Sequence, residues 1–103
     1  MKESYGRELP AEWAAMSKVF VALGDPHRQR ILLLFEKGER LSIGQIVEVS
    51  TLARSSVSHH LRVLRESGVL SSEKVGKEVF FWVNADAISE SMQSVLDYLK
   101  KHF

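Results

Sequence analysis

The chain has 103 residues, 45% apolar and 26% charged, with a formal net charge of +1. This is enough for one small domain, residues 1–103, with a modest core that self-association would help to stabilise. It holds no cysteine, which excludes disulfides, thiolate metal sites and thiol redox sensing. No apolar run approaches the ~18 residues of a membrane span, and Met1 to Gly6 lack the apolar stretch of a signal peptide, so the expectation is a cytoplasmic protein without a membrane partner.

Residues 1–8 are polar and expected to be flexible. A first helix is predicted from Pro10 to Leu23, with Pro10 in the first turn, where its missing N–H costs nothing. Trp13, Met16, Phe20 and Leu23 repeat at helical spacing, and Val19 and Val21 widen the stripe. For Trp13 and Met16 both core packing and a subunit interface stay open. Gly24-Asp25-Pro26 is a break and restart, with Asp25 as cap and Pro26 as first residue of a second helix running to about Lys37. Its unbroken apolar run, Ile31 to Phe35, predicts burial on most sides. His27, Arg28 and Arg30 lie at its start, where the macrodipole disfavours cations. Such residues are more often solvated than bound to phosphate.

After a turn at Gly38-Glu39-Arg40, Ser42 is placed to cap a short third helix, Ile43 to about Val49, with Ile46 inward. Ser50 to Ala53 connect tightly to a fourth helix ending at Gly68, a residue suited to a left-handed C-terminal position. This fourth helix has two faces at about 100° per residue. Val57, Leu61 and Leu64 form an apolar seam, and Ser55, His59 and Arg62 face the other way at the same spacing. Arg54, Arg62 and Arg65 outweigh Glu66 there, while acids gather elsewhere, at Glu3, Glu8, Glu12, Asp86, Glu90 and Asp97. A basic patch on a near-neutral protein, on a helix that follows another after a short turn, points to the major groove of DNA.

Beyond Gly68 the period changes. Leu70 to Val75 and Val79 to Val83 read as two strands joined at Gly76-Lys77. Val79, Phe81 and Val83 share one face, Phe80 and Trp82 the other, which implies burial on two sides or a face that meets a partner. Lys74 and Lys77 flank the hairpin tip, where phosphate contact is expected. Asn84 is placed to cap a final helix with Asp86 in its first turn. Ile88, Met92, Val95, Leu96 and Leu99 make its apolar stripe. Lys100, Lys101 and His102 sit at the end the dipole favours for cations.

The fold class is thus mainly α, five helices with a two-stranded hairpin wing between the fourth and fifth. It resembles the ArsR/SmtB family of bacterial winged-helix repressors over roughly residues 12–100. The match is carried by Leu23-Gly-Asp-Pro-His-Arg-Gln-Arg-Ile31, by Val57-Ser-His-His-Leu-Arg-Val-Leu-Arg-Glu-Ser-Gly-Val-Leu70, and by the Gly76 wing ending in Phe81-Trp82. The resemblance implies a homodimer built through the first and last helices, from Trp13, Met16, Phe20, Met92, Val95, Leu96 and Leu99. It implies double-stranded DNA as partner, a palindromic operator with half-sites ~34–36 Å apart. Arg54, Ser55, Ser56, Ser58, His59 and Arg62 would face the groove, with Lys74 and Lys77 on phosphates.

The chain departs from the family pattern in three places. Metal sensors of the family often carry Cys-x-Cys where this chain has Ser42 and Gly44. Others use a ligand set on the final helix, at positions that here read Asp86, Ile88, Leu99 and His102. One carboxylate and one imidazole do not make a tetrahedral set for zinc, so no metal or other cofactor is expected. The turn before the recognition helix often carries Gly and then Ser, here Thr51 and Ala53, and a side-chain N-cap is lost. Catalysis is not expected either. Ser55 and His59, or Ser56 and His60, stand at i, i+4, but no acid orients either imidazole and no turn offers an oxyanion hole. His60 falls toward the apolar side, as a packed, hydrogen-bonded residue. The alternative function is a winged-helix module for protein contact, using Trp13, Phe80, Phe81 and Trp82. The polar, cationic outer face of residues 55–62 argues against it.

Overall fold

The computed structural model describes all 103 residues. The first helix, α1 (Ala11–Leu23), starts one residue later than expected, with Pro10 as its N-cap. Its inward face is Met16, Val19 and Ala22. Phe20 and Val21 are 53% and 67% exposed. Met16 is fully buried inside its own protomer, so it has no surface left for a partner and leaves the expected interface set.

Helix α2 (Pro26–Leu32) follows at once. The Asp25 carboxylate accepts from the backbone N–H groups of His27 (2.8 Å) and Arg28 (3.1 Å). These bonds supply partners for donors that the first turn of any helix leaves open. The Arg28 N–H above all, then that of His27, holds the Asp25 carboxyl below its ordinary pKa against the opposing effect of burial. Its contribution to stability is therefore present above the ordinary carboxylate pKa and lost as pH falls through the lowered value.

The expectation that α2 would run to about Lys37 fails. After Leu32 the chain makes i→i+3 bonds, Leu34 N–H to Ile31 O and Phe35 N–H to Leu32 O. Tighter winding rotates successive side chains further. Leu33 is thrown out to 81% exposure, while Phe35 turns back against the core. A turn through Gly38, at φ +73°, then delivers Leu41 and Ser42 to a sheet edge as β1 (Leu41–Ser42).

Ser42 also opens α3 (Ile43–Val49) with a reciprocal cap. Its Oγ accepts from Gln45 N–H (3.2 Å), and Gln45 Oε1 accepts from Ser42 N–H (2.8 Å). The turn from Ser50 to Ala53, held by Leu52 N–H to Ser50 Oγ, leads into α4 (Arg54–Glu66). β2 (Leu70–Val75) and β3 (Glu78–Val83) form the hairpin wing, with Val75 opposite Glu78. Gly76 has φ +62° and Lys77 has not, the pattern of a type II′ turn. The sheet has three antiparallel strands in the order β1-β3-β2, one more than expected. Phe81 is buried, and Val79 and Val83 pack on the core. The opposite face of Trp82 is covered by the Arg40 guanidinium, 4.1 Å from the ring centroid, which also pairs with Glu73 at 2.8 Å.

The last helix is α5 (Ala85–His102). Asn84 precedes it without capping it through its side chain. The amide is engaged elsewhere: Nδ2 donates to Gly68 O at 2.9 Å, and Oδ1 accepts from Ser71 Oγ at 3.0 Å. No residue of α5 is fully buried. Ile88 and Val95 lean on the core, and Trp13 meets Tyr98 edge to face at 5.2 Å. Met92, Leu96 and Leu99 are 39%, 49% and 44% exposed. The molecule measures 52 × 25 × 23 Å, and its radius of gyration of 16.1 Å exceeds the ~13 Å of a compact chain of this length.

Replacing Ser42 by Ala removes one side of the reciprocal cap in a buried position. Urea denaturation should show a loss of ~0.5–2 kcal/mol.

Candidate nucleic-acid interface

Helix α4 is fixed from beneath. Val57, Leu61 and Leu64 are at most 1% exposed and lie in one cluster with Met16, Ile31, Ile46, Val69, Leu70 and Phe81. The seam forms because residues at i, i+4 and i+7 return to the same side of a 3.6-residue turn. On the far side Ser55, His59 and Arg62 are exposed, as are Arg54 and Ser56. Ser58 is half-buried. At about 100° per residue it lies beside the seam rather than opposite it. Gly68, at φ +84°, ends the helix and turns the chain into the wing. Lys74 and Lys77 are exposed toward and at the hairpin tip.

Ala53 stands at the N-cap of α4 in an extended conformation (φ −63°, ψ 151°) with no side-chain hydrogen bond. The recognition helix does start at Arg54, and its first N–H groups are without a capping side chain. Such open donors suit an anion.

The cations at the start of α2 behave differently from the reading of free or phosphate-bound residues. Arg28 is turned inward: Nε donates to Ala22 O at 2.7 Å and Nη2 to Val21 O at 3.0 Å. Gln29 Nε2 donates to Leu23 O at 2.6 Å. The last carbonyls of α1 thus gain side-chain donors from the first turn of α2, Val21 O in addition to the Gly24 N–H at 3.3 Å. Arg30 is exposed, with Nη1 3.4 Å from His27 Nδ1. Sequence reasoning missed this role of Arg28 and Gln29; the signal available was the two-residue link between helices, which leaves room for little else.

His60 sits on the α4 flank, half-buried, with its Nδ1 3.3 Å from Arg28 Nη1. Its ring centroid lies 5.8 Å from that of His27 and 5.7 Å from that of His59. Burial first, then Arg28, His59 and His27, push its pKa down from the ordinary value, with Asp25 opposing. No three His, Cys, Asp or Glu side chains are grouped so as to hold a metal ion.

A helix-turn-helix of α3 and α4, followed by a hairpin wing on a three-stranded sheet, defines a winged-helix DNA-binding domain. The sequence profile of the arsR family of bacterial regulatory proteins matches residues 25–72. The transcriptional repressor SdpR of Bacillus subtilis is 31% identical over 86 residues, covering 84% of this chain and 94% of that protein. An SmtB homolog of Synechocystis sp., a transcriptional repressor, is 28% identical over 86 residues, covering 84% and 64%. Among solved structures, an ArsR-like transcriptional regulator from Rhodococcus sp. superposes with a TM-score of 0.80 at 22% identity, covering 89% of this chain and 86% of that one. The chain belongs to the ArsR family. It is a DNA-binding transcriptional regulator and not an enzyme.

Restoring a capping hydroxyl with Ala53→Ser should stabilise the protein by ~1 kcal/mol. In a thermal melt that is a rise of roughly 4–8 °C.

Proposed function

We propose that this regulator is a homodimeric repressor that works in the cytoplasm and reads a palindromic operator. Arg54, Ser55, Ser56, His59 and Arg62 meet base edges and flanking phosphates, and Ser58 contributes from the side of the helix. Lys74 and Lys77 hold phosphate through the wing. The observation that carries this is the outer face of α4: small hydroxyls, an imidazole and a guanidinium, all exposed on a helix whose seam is wholly buried. Small side chains let the helix approach the groove, and Arg binds guanine O6 and N7 with both arms of its fork. Repression is supported by the relatives, two of which are repressors by name.

Dimerisation through α1 and α5 is supported by the exposed surface. A compact monomer of 11.7 kDa exposes about 5,900 Å², and this protomer exposes 7661 Å². Part of the excess is the extended N-terminal segment. The rest includes the exposed apolar side chains Phe20, Met92, Leu96 and Leu99 of α1 and α5. Trp13, Phe20, Met92, Val95, Leu96 and Leu99 supply the apolar contacts, continuing where α1 and α5 already pack on each other. The release signal is not a metal held in the family's cysteine motif, since Ser42 and Gly44 occupy those positions. Asp86 and His102, at opposite ends of α5, are ~24 Å apart along one helix.

The test is fluorescence anisotropy on DNA from the chain's own promoter, beside a scrambled duplex, across several salt concentrations. Tight promoter binding with a steep salt slope is expected; equal, weak binding to both duplexes would overturn the operator reading. Arg62→Ala should cost ~1–3 kcal/mol of specific binding and relax one base preference. Lys77→Ala should weaken binding to all sequences alike and reduce the salt slope by about one. Leu96→Glu places a charge on the α5 face; sedimentation should show a monomer, and operator affinity should fall with it.

A further inference from the structure

We propose that Arg28 is a positioning residue for operator binding, bracing the recognition helix against the C-terminal end of α1 through one guanidinium that reaches Val21, Ala22 and His60 together. This rests on the reading of α4 as the operator-reading helix. All three nitrogens of the Arg28 head are used: Nε on Ala22 O (2.7 Å), Nη2 on Val21 O (3.0 Å) and Nη1 on His60 Nδ1 (3.3 Å). The planar fork makes three directed contacts, which the single ammonium of lysine cannot reproduce. Arg28 is itself fixed at its backbone by the Asp25 carboxylate. The brace therefore runs from the end of α1, through the start of α2, to the flank of α4.

The chemistry of the contact sets its state. Arginine only donates, so His60 Nδ1 must accept, and the ring must be neutral with its proton on Nε2. A second proton would place a donor against a donor and a cation against a cation. The titratable groups acting on His60 are Asp25, at the α2 cap, with Arg28 and His27 on α2 and His59 on its own helix. Toward the brace, α1 offers the backbone carbonyls of Val21 and Ala22. Of the side chains, Asp25 alone favours the charged ring, and burial with the other three disfavours it. The brace is closed at neutral pH and opens as His60 takes up a proton. His59, the next residue, faces outward, so a change in the set of α4 at His60 is a change in what His59 and Arg62 meet.

The experiment compares wild type, Arg28→Lys and His60→Asn in the full chain, by anisotropy on promoter and scrambled duplexes between pH 8 and pH 5.5. Arg28→Lys keeps the charge and loses the fork; promoter affinity should fall about fivefold or more and scrambled affinity should not move. His60→Asn keeps an acceptor near the Nδ1 position and cannot titrate. Its promoter affinity should match wild type at pH 8. The ratio of wild-type to variant promoter affinity should then fall steadily as the pH is lowered toward 5.5. Wild-type affinity in Arg28→Lys, or a pH-independent ratio for His60→Asn, would overturn the proposal. Ring ¹⁵N shifts read the brace without DNA: His60 should be the Nε2–H tautomer in wild type and a mixture in Arg28→Lys, and an Nδ1–H tautomer in wild type would overturn it. Equal wild-type binding to both duplexes would overturn the operator reading and the positioning role with it, and the tautomer would still report whether the contact exists.

Discussion

Burial of Val57, Leu61 and Leu64 is the constraint on which the rest depends. A helix that leaves one polar face bare to solvent can be held only from the other. Its outward residues are polar and contribute little to folding, so the seam has to supply the anchoring. The cluster around it draws on α1, α2, α3, the wing and the sheet. Only 12 of 103 residues are buried, and this small core is centred on the reading helix.

The second constraint is polar. Two helices joined by Gly24 and Asp25 alone bring an open C-terminus against an open N-terminus. Both sets of groups are satisfied locally, carbonyls by Arg28 and Gln29, N–H groups by Asp25. Gly24 is there for space rather than for a special backbone angle. A Cβ on it would stand 3.0 Å from the Phe20 carbonyl. The cations that looked like a unit at the start of α2 thus divide, Arg28 inward and Arg30 outward.

Much of this was legible in the sequence because periodicity is a strong signal over long, two-faced elements. The α4 seam, the Asp25 and Ser42 caps, the Gly68 stop and the hairpin at Gly76 were all readable from residue type and spacing. What escaped has physical causes. β1 is two residues long, too short to show a period, and exists because Phe80 and Phe81 of β3 give it a partner. α2 ends early because a tighter turn, not a polar residue, redirects Phe35. Met16 and Phe20 sit on one predicted stripe, yet the core takes Met16, Val19 and Ala22, a choice set by where α1 lies on its neighbours. On α4, the exposed face was readable except at Ser58, which the helix turns to its flank. Asn84 has the chemistry of a cap but uses it on Gly68 and Ser71, a long-range contact that no local pattern announces.

That last contact ties three elements together. Asn84 joins the residue that ends the reading helix, the strand that begins the wing, and the first turn of α5. A tilt of α5 is therefore passed to helix and wing together, as in a rigid gear, rather than to either alone. Any displacement of α5 at Asn84 would act on the end of α4 and the start of the wing at once.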